Sequence, residues 1–155
     1  MDSLSLAEKA SLGSMLGAFI GDSIGSVLEF EVGLQDKAKV AEALSMPGGG
    51  LFNVAPGQVT DDSELAMCLM RGLLAGGGKL DLFQHCIYYG HWYGYGPFDI
   101  GQTTENGLRH CSVTQPDPTK PQAAAKTGPG EHSLSNGSMM RITPLAVWCQ
   151  HLPAE

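Results

Sequence analysis

The sequence has 155 residues, 43% hydrophobic and 16% charged, with nine basic and sixteen acidic side chains for a formal charge of −7. That is apolar material for one domain, residues 1–155, and no surplus of cations, so neither nucleic acid nor an anionic membrane surface is expected as a partner. No apolar run approaches the ~20 residues that cross a bilayer, and the start (Met1, Asp2, Ser3) lacks the basic and apolar runs of a secretory leader. Cys68, Cys86, Cys111 and Cys149 show no Cys-x-x-Cys spacing, so buried, reduced thiols in a cytoplasmic protein are expected.

The first helix is predicted from Leu6 to Phe30. Ser5 and Glu8 have capping-box spacing, and Leu12, Leu16, Phe19, Ile20, Ile24, Val27 and Leu28 recur at steps of three and four. Gly13, Gly17, Gly21 and Gly25 form a second row that drifts only ~40° per step. Each glycine costs up to ~1 kcal/mol of helix stability relative to alanine, so the row calls for a close packing partner or a ligand. An irregular stretch ends in the loop Met46-Pro47-Gly48-Gly49-Gly50.

Gly57 to Glu64 leads into a second helix with an apolar face of Leu65, Leu69, Leu73, Ala66, Met70 and Leu74, ended by Gly76-Gly77-Gly78. A third helix is expected from Asp81 to Tyr93, with Leu82, Phe83, Cys86 and Ile87 inward. Asp99 and Gln102 repeat the cap spacing before a fourth helix reaching His110. Gln115 to Gly130 reads as a surface loop with one short helical turn. Thr143 as N-cap and Pro144 as first helical residue open the last helix, which runs to Gln150. No alternating strand is legible, and the expected fold class is all-α.

Asp22 and Glu29 are seven residues apart, which on one helix puts both carboxylates on one face about 10 Å apart along the axis. They read either as solvated acids or, given the apolar, glycine-rich surroundings of Asp22, as a functional pair. Thr60-Asp61-Asp62-Ser63 can cap a helix and favour its dipole. The same hard oxygens also suit Mg²⁺ or Mn²⁺. Asn136-Gly137-Ser138 is either an ordinary turn or a segment whose exposed amides hold a phosphate or ribose. Arg141 can meet a pyrophosphate or a buried carboxylate. His85, His91, His110, His132 and His151 share no ligand spacing and read as structural or exposed.

Four segments in order resemble the ADP-ribosylglycohydrolases, relatives of dinitrogenase-reductase-activating glycohydrolase and of the ADP-ribosyl-arginine and ADP-ribosyl-serine hydrolases. They are Gly21-Asp22-Ser23-Ile24-Gly25 with Glu29, then Gly57-x-x-Thr60-Asp61-Asp62-Ser63, then Pro97-Phe98-Asp99-Ile100-Gly101-x-Thr103-Thr104, then Ser135-Asn136-Gly137-Ser138-x-Met140-Arg141-Ile142-x-Pro144. The resemblance implies an all-α orthogonal bundle holding a binuclear Mg²⁺ or Mn²⁺ centre. It carries the metal ligands onto Thr60, Asp61 and Asp62, and catalytic roles onto Glu29 and Asp62. It carries the ligand-binding roles onto Asp22, Asn136, Gly137 and Ser138. Ser63 stands where threonine is more usual.

The family's second metal motif, Asp-x-Asp-Thr, has no counterpart here, since no aspartate follows Arg141. The resemblance therefore covers the N-terminal half of a complete member and implies a truncated bundle. The expected reaction is metal-dependent hydrolysis of the bond linking ADP-ribose to a protein side chain or related acceptor, through an oxocarbenium-like transition state. The expected partners are ADP-ribose or an ADP-ribosylated protein, and a complementing second chain or a homo-oligomer. The alternative is a catalytically incomplete ADP-ribose-binding or structural protein on the same fold, comparable with the jellyfish lens crystallins that resemble this family.

Overall fold

The computed structural model describes residues 3–33, 36–127, 132–150 and 152. Seven helices follow in order: α1 (Leu6–Gly25), α2 (Lys37–Ala43), α3 (Asp61–Ala75), α4 (Leu82–Gly94), α5 (Gln102–Leu108), α6 (Thr119–Ala125) and α7 (Thr143–Cys149). Among the described residues the sole β-type pairing is the isolated bridge between Gly49 and Val54, so the fold is all-α. No helix among them is long and apolar enough to cross a membrane. The chain divides into two units, Met1–Ser63 and Glu64–Glu155.

In the first unit the capping box forms as expected: Ser5 accepts from the Glu8 amide at 3.3 Å, and Glu8 accepts from the Ser5 amide at 2.8 Å. α1 ends at Gly25, five residues before the expected Phe30, and the chain turns through 26–30. α2 was not legible in the sequence. It starts where the Asp36 side chain accepts from the Ala38 amide at 3.1 Å. Gly48, Gly49 and Gly50 all take positive φ, and Gly50 lies so close to the Ser26 carbonyl that a Cβ would sit 2.8 Å from it. The buried residues of this unit are small or polar for the most part: Ser23, Ser26, Thr60, Asp61 and Ser63 with Ala43 and Val54. Among the described residues, a Cβ at Gly13, Gly17, Gly21 or Gly25 of α1 meets nothing within 4 Å.

The second unit holds the apolar core of Leu65, Ala66, Cys68, Leu69, Leu73, Cys86 and Leu108. α3 buries the expected row of Leu65, Leu69 and Leu73, but Leu74 is 71% exposed. In α4, capped by Asp81 on the Phe83 amide at 2.9 Å, the inward residues are His85, Cys86 and Gly90, whereas Leu82 and Phe83 face outward. His85 Nδ1–H donates to the Asp81 carbonyl at 2.7 Å, and its ring fills the space that a Gly72 side chain would occupy. Trp92 Nε1–H donates to Glu64 at 2.6 Å, and Trp148 Nε1–H donates to the Gly78 carbonyl at 2.9 Å.

α5 starts without a side-chain cap because Gly101 holds the position, so the Asp99–Gln102 capping expectation is not met. The loop expected over Gln115 to Gly130 contains α6, nearly two turns long. Thr143 is the first helical residue of α7 and Ile142 its N-cap, one position earlier than expected. Residues 128–130 of the expected loop, His151 and the N-terminal Met1 and Asp2 lie outside the described residues. All four cysteines are free, with Cys68 and Cys86 buried, Cys111 half-buried and Cys149 exposed. Burial pushes the Cys68 thiol up to about 11 and the Cys111 thiol up to about 12, which keeps both protonated and unreactive.

Two glycine substitutions have opposite outcomes. Gly17→Ala adds a Cβ in open space and raises stability by up to ~1 kcal/mol. Gly72→Ala brings a Cβ to 2.8 Å from the His85 ring. It lowers stability by ~1–3 kcal/mol through overpacking. Urea unfolding midpoints of the two variants check the signs.

Candidate functional site

The first four amides of a helix have no intrahelical acceptor. At the start of α3 that need is met from 38 residues upstream, by the Asp22 carboxylate in the last turn of α1. The Thr60 amide lies 3.1 and 3.0 Å from its two oxygens, and the Thr60 hydroxyl donates to Oδ1 at 2.7 Å. The Ser63 amide and hydroxyl donate to Oδ2 at 3.1 and 2.5 Å. A carboxylate has about four lone-pair sites, and this one is filled by main-chain and hydroxyl donors. Asp22, expected to bind ligand, is therefore placed as the remote cap that fixes the Thr60–Ser63 turn.

The chain reaches this turn through a tight bend at 55–58. There the Gln58 amide donates to the Ala55 carbonyl at 3.0 Å and its side chain accepts from the Ala55 amide at 2.8 Å. Thr60, Asp61 and Ser63 are buried and Asp62 is half-buried. Burial and the neighbouring Asp22 carboxylate hold the Asp62 carboxyl above the ordinary carboxylate range, outweighing a backbone hydrogen bond that lowers it. The Thr60 proton is committed to Asp22, so its oxygen offers only lone pairs to anything else.

This donor set fits a hard divalent cation: one hydroxyl oxygen stripped of its free proton, and two carboxylates in a region of excess negative charge. Thr60, Asp61 and Asp62 would hold it, with water or ligand oxygens completing the shell. Among the described residues no group of three or more His, Cys, Asp or Glu side chains is arranged to hold a metal.

Glu29 does not share a helical face with Asp22. It stands in the turn after α1, exposed, with its amide bonded to the Gly25 carbonyl at 3.0 Å. Asn136, Gly137 and Ser138 belong to the second unit. The Asn136 carbonyl accepts from the Met139 and Met140 amides at 2.7 and 3.0 Å, opening a helical turn. Gly137 lies against Thr104, whose hydroxyl oxygen would be 2.7 Å from a Cβ there, so no larger residue fits. Gly137 and Ser138 line a cavity of about 450 Å³ together with Thr103, Thr104, Ser133 and Arg141.

Arg141 lies over the Tyr89 ring at 5.3 Å, and its Nη1 is buried without a hydrogen-bond partner among the described residues. Among the described residues no carboxylate forms a salt bridge with it. Two roles were not legible in the sequence: Ser63 as the second hydroxyl on Asp22, and Thr104 as the wall against Gly137.

Asp22→Ala strips four donors of their acceptor and costs about 3 kcal/mol, read as a shift in urea midpoint. Asp62→Asn acts the other way. A carboxyl raised in the folded state penalises folding above that raised value, and the penalty is relieved as the folded form takes up its proton. Without added divalent cation the variant therefore melts higher than the parent at pH 7. The gain shrinks as the pH falls through the raised Asp62 value toward the ordinary carboxylate range.

The family model of the ADP-ribosylglycohydrolases matches residues 3–155. The chain is 32% identical over 149 residues to the ADP-ribosyl-dinitrogen-reductase glycohydrolase of Rhodospirillum rubrum, covering 94% of this chain and 46% of that protein. It is 32% identical over 152 residues to an ADP-ribosylarginine hydrolase of Pseudomonas putida, covering 90% of this chain and 36% of that one. A solved chain described as part of an ADP-ribosylglycohydrolase-related protein complex superposes with a TM-score of 0.66 at 30% identity, covering 92% of this chain and 44% of that one. The chain thus spans less than half the length of these relatives. With its all-α fold and its Thr60-Asp61-Asp62 turn, it belongs to the ADP-ribosylglycohydrolase family.

Proposed function

We propose that this chain supplies the cation-binding and ADP-ribose-binding part of a hydrolase that cleaves the glycosidic bond between ADP-ribose and a protein side chain. The observation that carries this reading is the clamp of Asp22 on Thr60 and Ser63, which fixes the turn on which Asp61 and Asp62 stand. The names of the relatives, an ADP-ribosylarginine hydrolase and an ADP-ribosyl-dinitrogen-reductase glycohydrolase, support ADP-ribose on a protein as the substrate class. The unbroken family match over residues 3–155 supports treating the two units as parts of one domain. Free cysteines suit the reducing cytoplasm.

In this mechanism Mg²⁺ or Mn²⁺, held by Thr60, Asp61 and Asp62, would supply charge to orient the ribose hydroxyls and acidify a water. Asp22 acts through Thr60 as a positioning residue, keeping the hydroxyl proton out of the donor site. Asp62 carries the charge that pairs with the cation. Glu29 serves as the carboxylate that takes up or returns a proton at the water or leaving group. Asn136, Gly137 and Ser138 offer small-residue backbone and a hydroxyl to the ribose and phosphates. The bond breaks with positive charge on the ribose, which an acidic site is built to stabilise.

The other reading, an ADP-ribose-binding or structural protein without turnover, shares the same fold and the same turn.

Calorimetry with ADP-ribose, with and without Mg²⁺, tests the proposal. Binding strengthened at least ~10-fold by Mg²⁺, and lost in Asp61→Asn with Asp62→Asn, is the expected result; ~10-fold corresponds to about 1.4 kcal/mol. Binding indifferent to Mg²⁺ and to both substitutions would remove the cation role. Release of ADP-ribose from ADP-ribosylarginine, measured alongside, separates the hydrolase from the binding module.

A further inference from the structure

The chain has nine basic residues against sixteen acidic ones, yet Arg109 and Lys120 line one cavity. It has a volume of about 710 Å³ and lies in the second unit, where α5 packs against α6. Gln102, Asn106 and Arg109 recur at steps of four and three, so α5 and its C-cap present them on one wall. Lys120, Ala123 and Thr127, at steps of three and four along α6 and just past it, form the other wall. Among the described lining residues there is no Asp or Glu, and no Phe, Tyr or Trp.

Both cations keep charge to spare. The Arg109 Nε–H donates to His110 Nε2 at 3.4 Å, which uses one of the guanidinium protons and leaves those on its two Nη atoms. Among the described residues no carboxylate pairs with Arg109. The Lys120 ammonium lies 3.8 Å from Asp117, whose Oδ1 already accepts from the Thr119 amide and hydroxyl at 3.1 and 2.5 Å. An exposed pair at that length contributes little. Protein laid over these walls would bury a guanidinium and an ammonium without partners, which is costly. The cavity is thus no apolar seam left open by the short span of the chain; its walls call for a counter-charge.

Cations on opposite walls fit an anion that carries several charges. The arginine fork matches phosphate oxygens, and lysine serves them as a point charge. Gln102, Asn106 and Thr127 add amide and hydroxyl donors around them. α5 and α6 have seven residues each. Their walls are therefore about 10 Å long, room for about three residues of an extended peptide. A phosphate chain concentrates more charge in that length than an acidic peptide does. Without large aromatic rings the walls offer no stacking platform to a nucleobase.

We infer that the cavity between α5 and α6 binds a linear polyphosphate with a free terminal phosphate, inorganic or as the tail of a nucleotide, through Arg109 and Lys120. The site is separate from the Asn136-Gly137-Ser138 segment, and it stands whether or not the ADP-ribose reading does. ADP-ribose lacks a terminal phosphate, so it does not compete.

Isothermal calorimetry of the whole chain with inorganic tripolyphosphate, at ~0.15 M salt and without divalent cations, is the test. Saturable one-to-one binding is expected, at least ~10-fold tighter than that of orthophosphate. ATP, which carries the same triphosphate, binds within about threefold of it. Arg109→Gln with Lys120→Gln, both at exposed positions, weakens binding at least ~10-fold while circular dichroism is unchanged. Lys79→Gln, an exposed cation outside the cavity, leaves binding unaltered, as does saturating ADP-ribose. Absence of saturable binding, indifference to the double substitution or an equal loss in Lys79→Gln would each overturn the inference. So would displacement by ADP-ribose, which would make the cavity part of the ADP-ribose site, or a preference of ~10-fold for ATP, which would make the base the recognised group.

Discussion

One half-buried carboxylate holds the candidate site together. Asp22 lies at the end of α1, and its two oxygens collect the amide and hydroxyl protons of both Thr60 and Ser63. Charge-assisted hydrogen bonds of this kind are roughly twice as strong as neutral ones. Here they also meet donors that a helix start cannot satisfy alone. Two consequences follow from the same contact. The start of α3 is tied to α1 across a sequence separation of 38 residues, and the Thr60 oxygen is left with lone pairs only. Burial and the negative charge of Asp22 together raise Asp62, so negative charge is crowded at this turn.

The arrangement bears on a tension in the sequence. Capping and cation binding compete as explanations for Thr60-Asp61-Asp62-Ser63, because acids and hydroxyls serve both. The structure shows one part of the answer: Asp22 caps the start of α3 from a distance, through the amides and hydroxyls of Thr60 and Ser63. Gly137 follows a similar logic in the second unit, where Thr104 occupies the volume of any larger side chain and the glycine lets the loop lie against α5.

Much of the fold was legible because periodicity and caps are local. The Ser5–Glu8 box, the Leu65-Leu69-Leu73 row and the Asp81 cap all act within a turn or two of themselves. What was not legible depends on distant partners. The end of α1 at Gly25 is set by the chain turning beside Gly50, and the apolar pattern running on to Leu28 gives no hint of it. α2 has seven residues and too little periodicity to register. Leu74, Leu82 and Phe83 fit an apolar stripe by spacing yet face outward, since spacing tells which residues share a face and not whether that face is covered. In the site, the residue types of Asp22, Thr60 and Asp62 could be picked out, but the direction of the Asp22 hydrogen bonds could not.

Amide hydrogen exchange at Thr60 and Ser63, followed by NMR, tests the Asp22 clamp most directly. Helix-start amides have no intrahelical acceptor, so any protection there must come from Asp22. The account requires both amides to exchange on the order of 100-fold more slowly than in an unstructured chain, and to lose that protection in Asp22→Ala while Leu69 stays protected. Thr60 and Ser63 amides that exchange freely in the parent protein would contradict it.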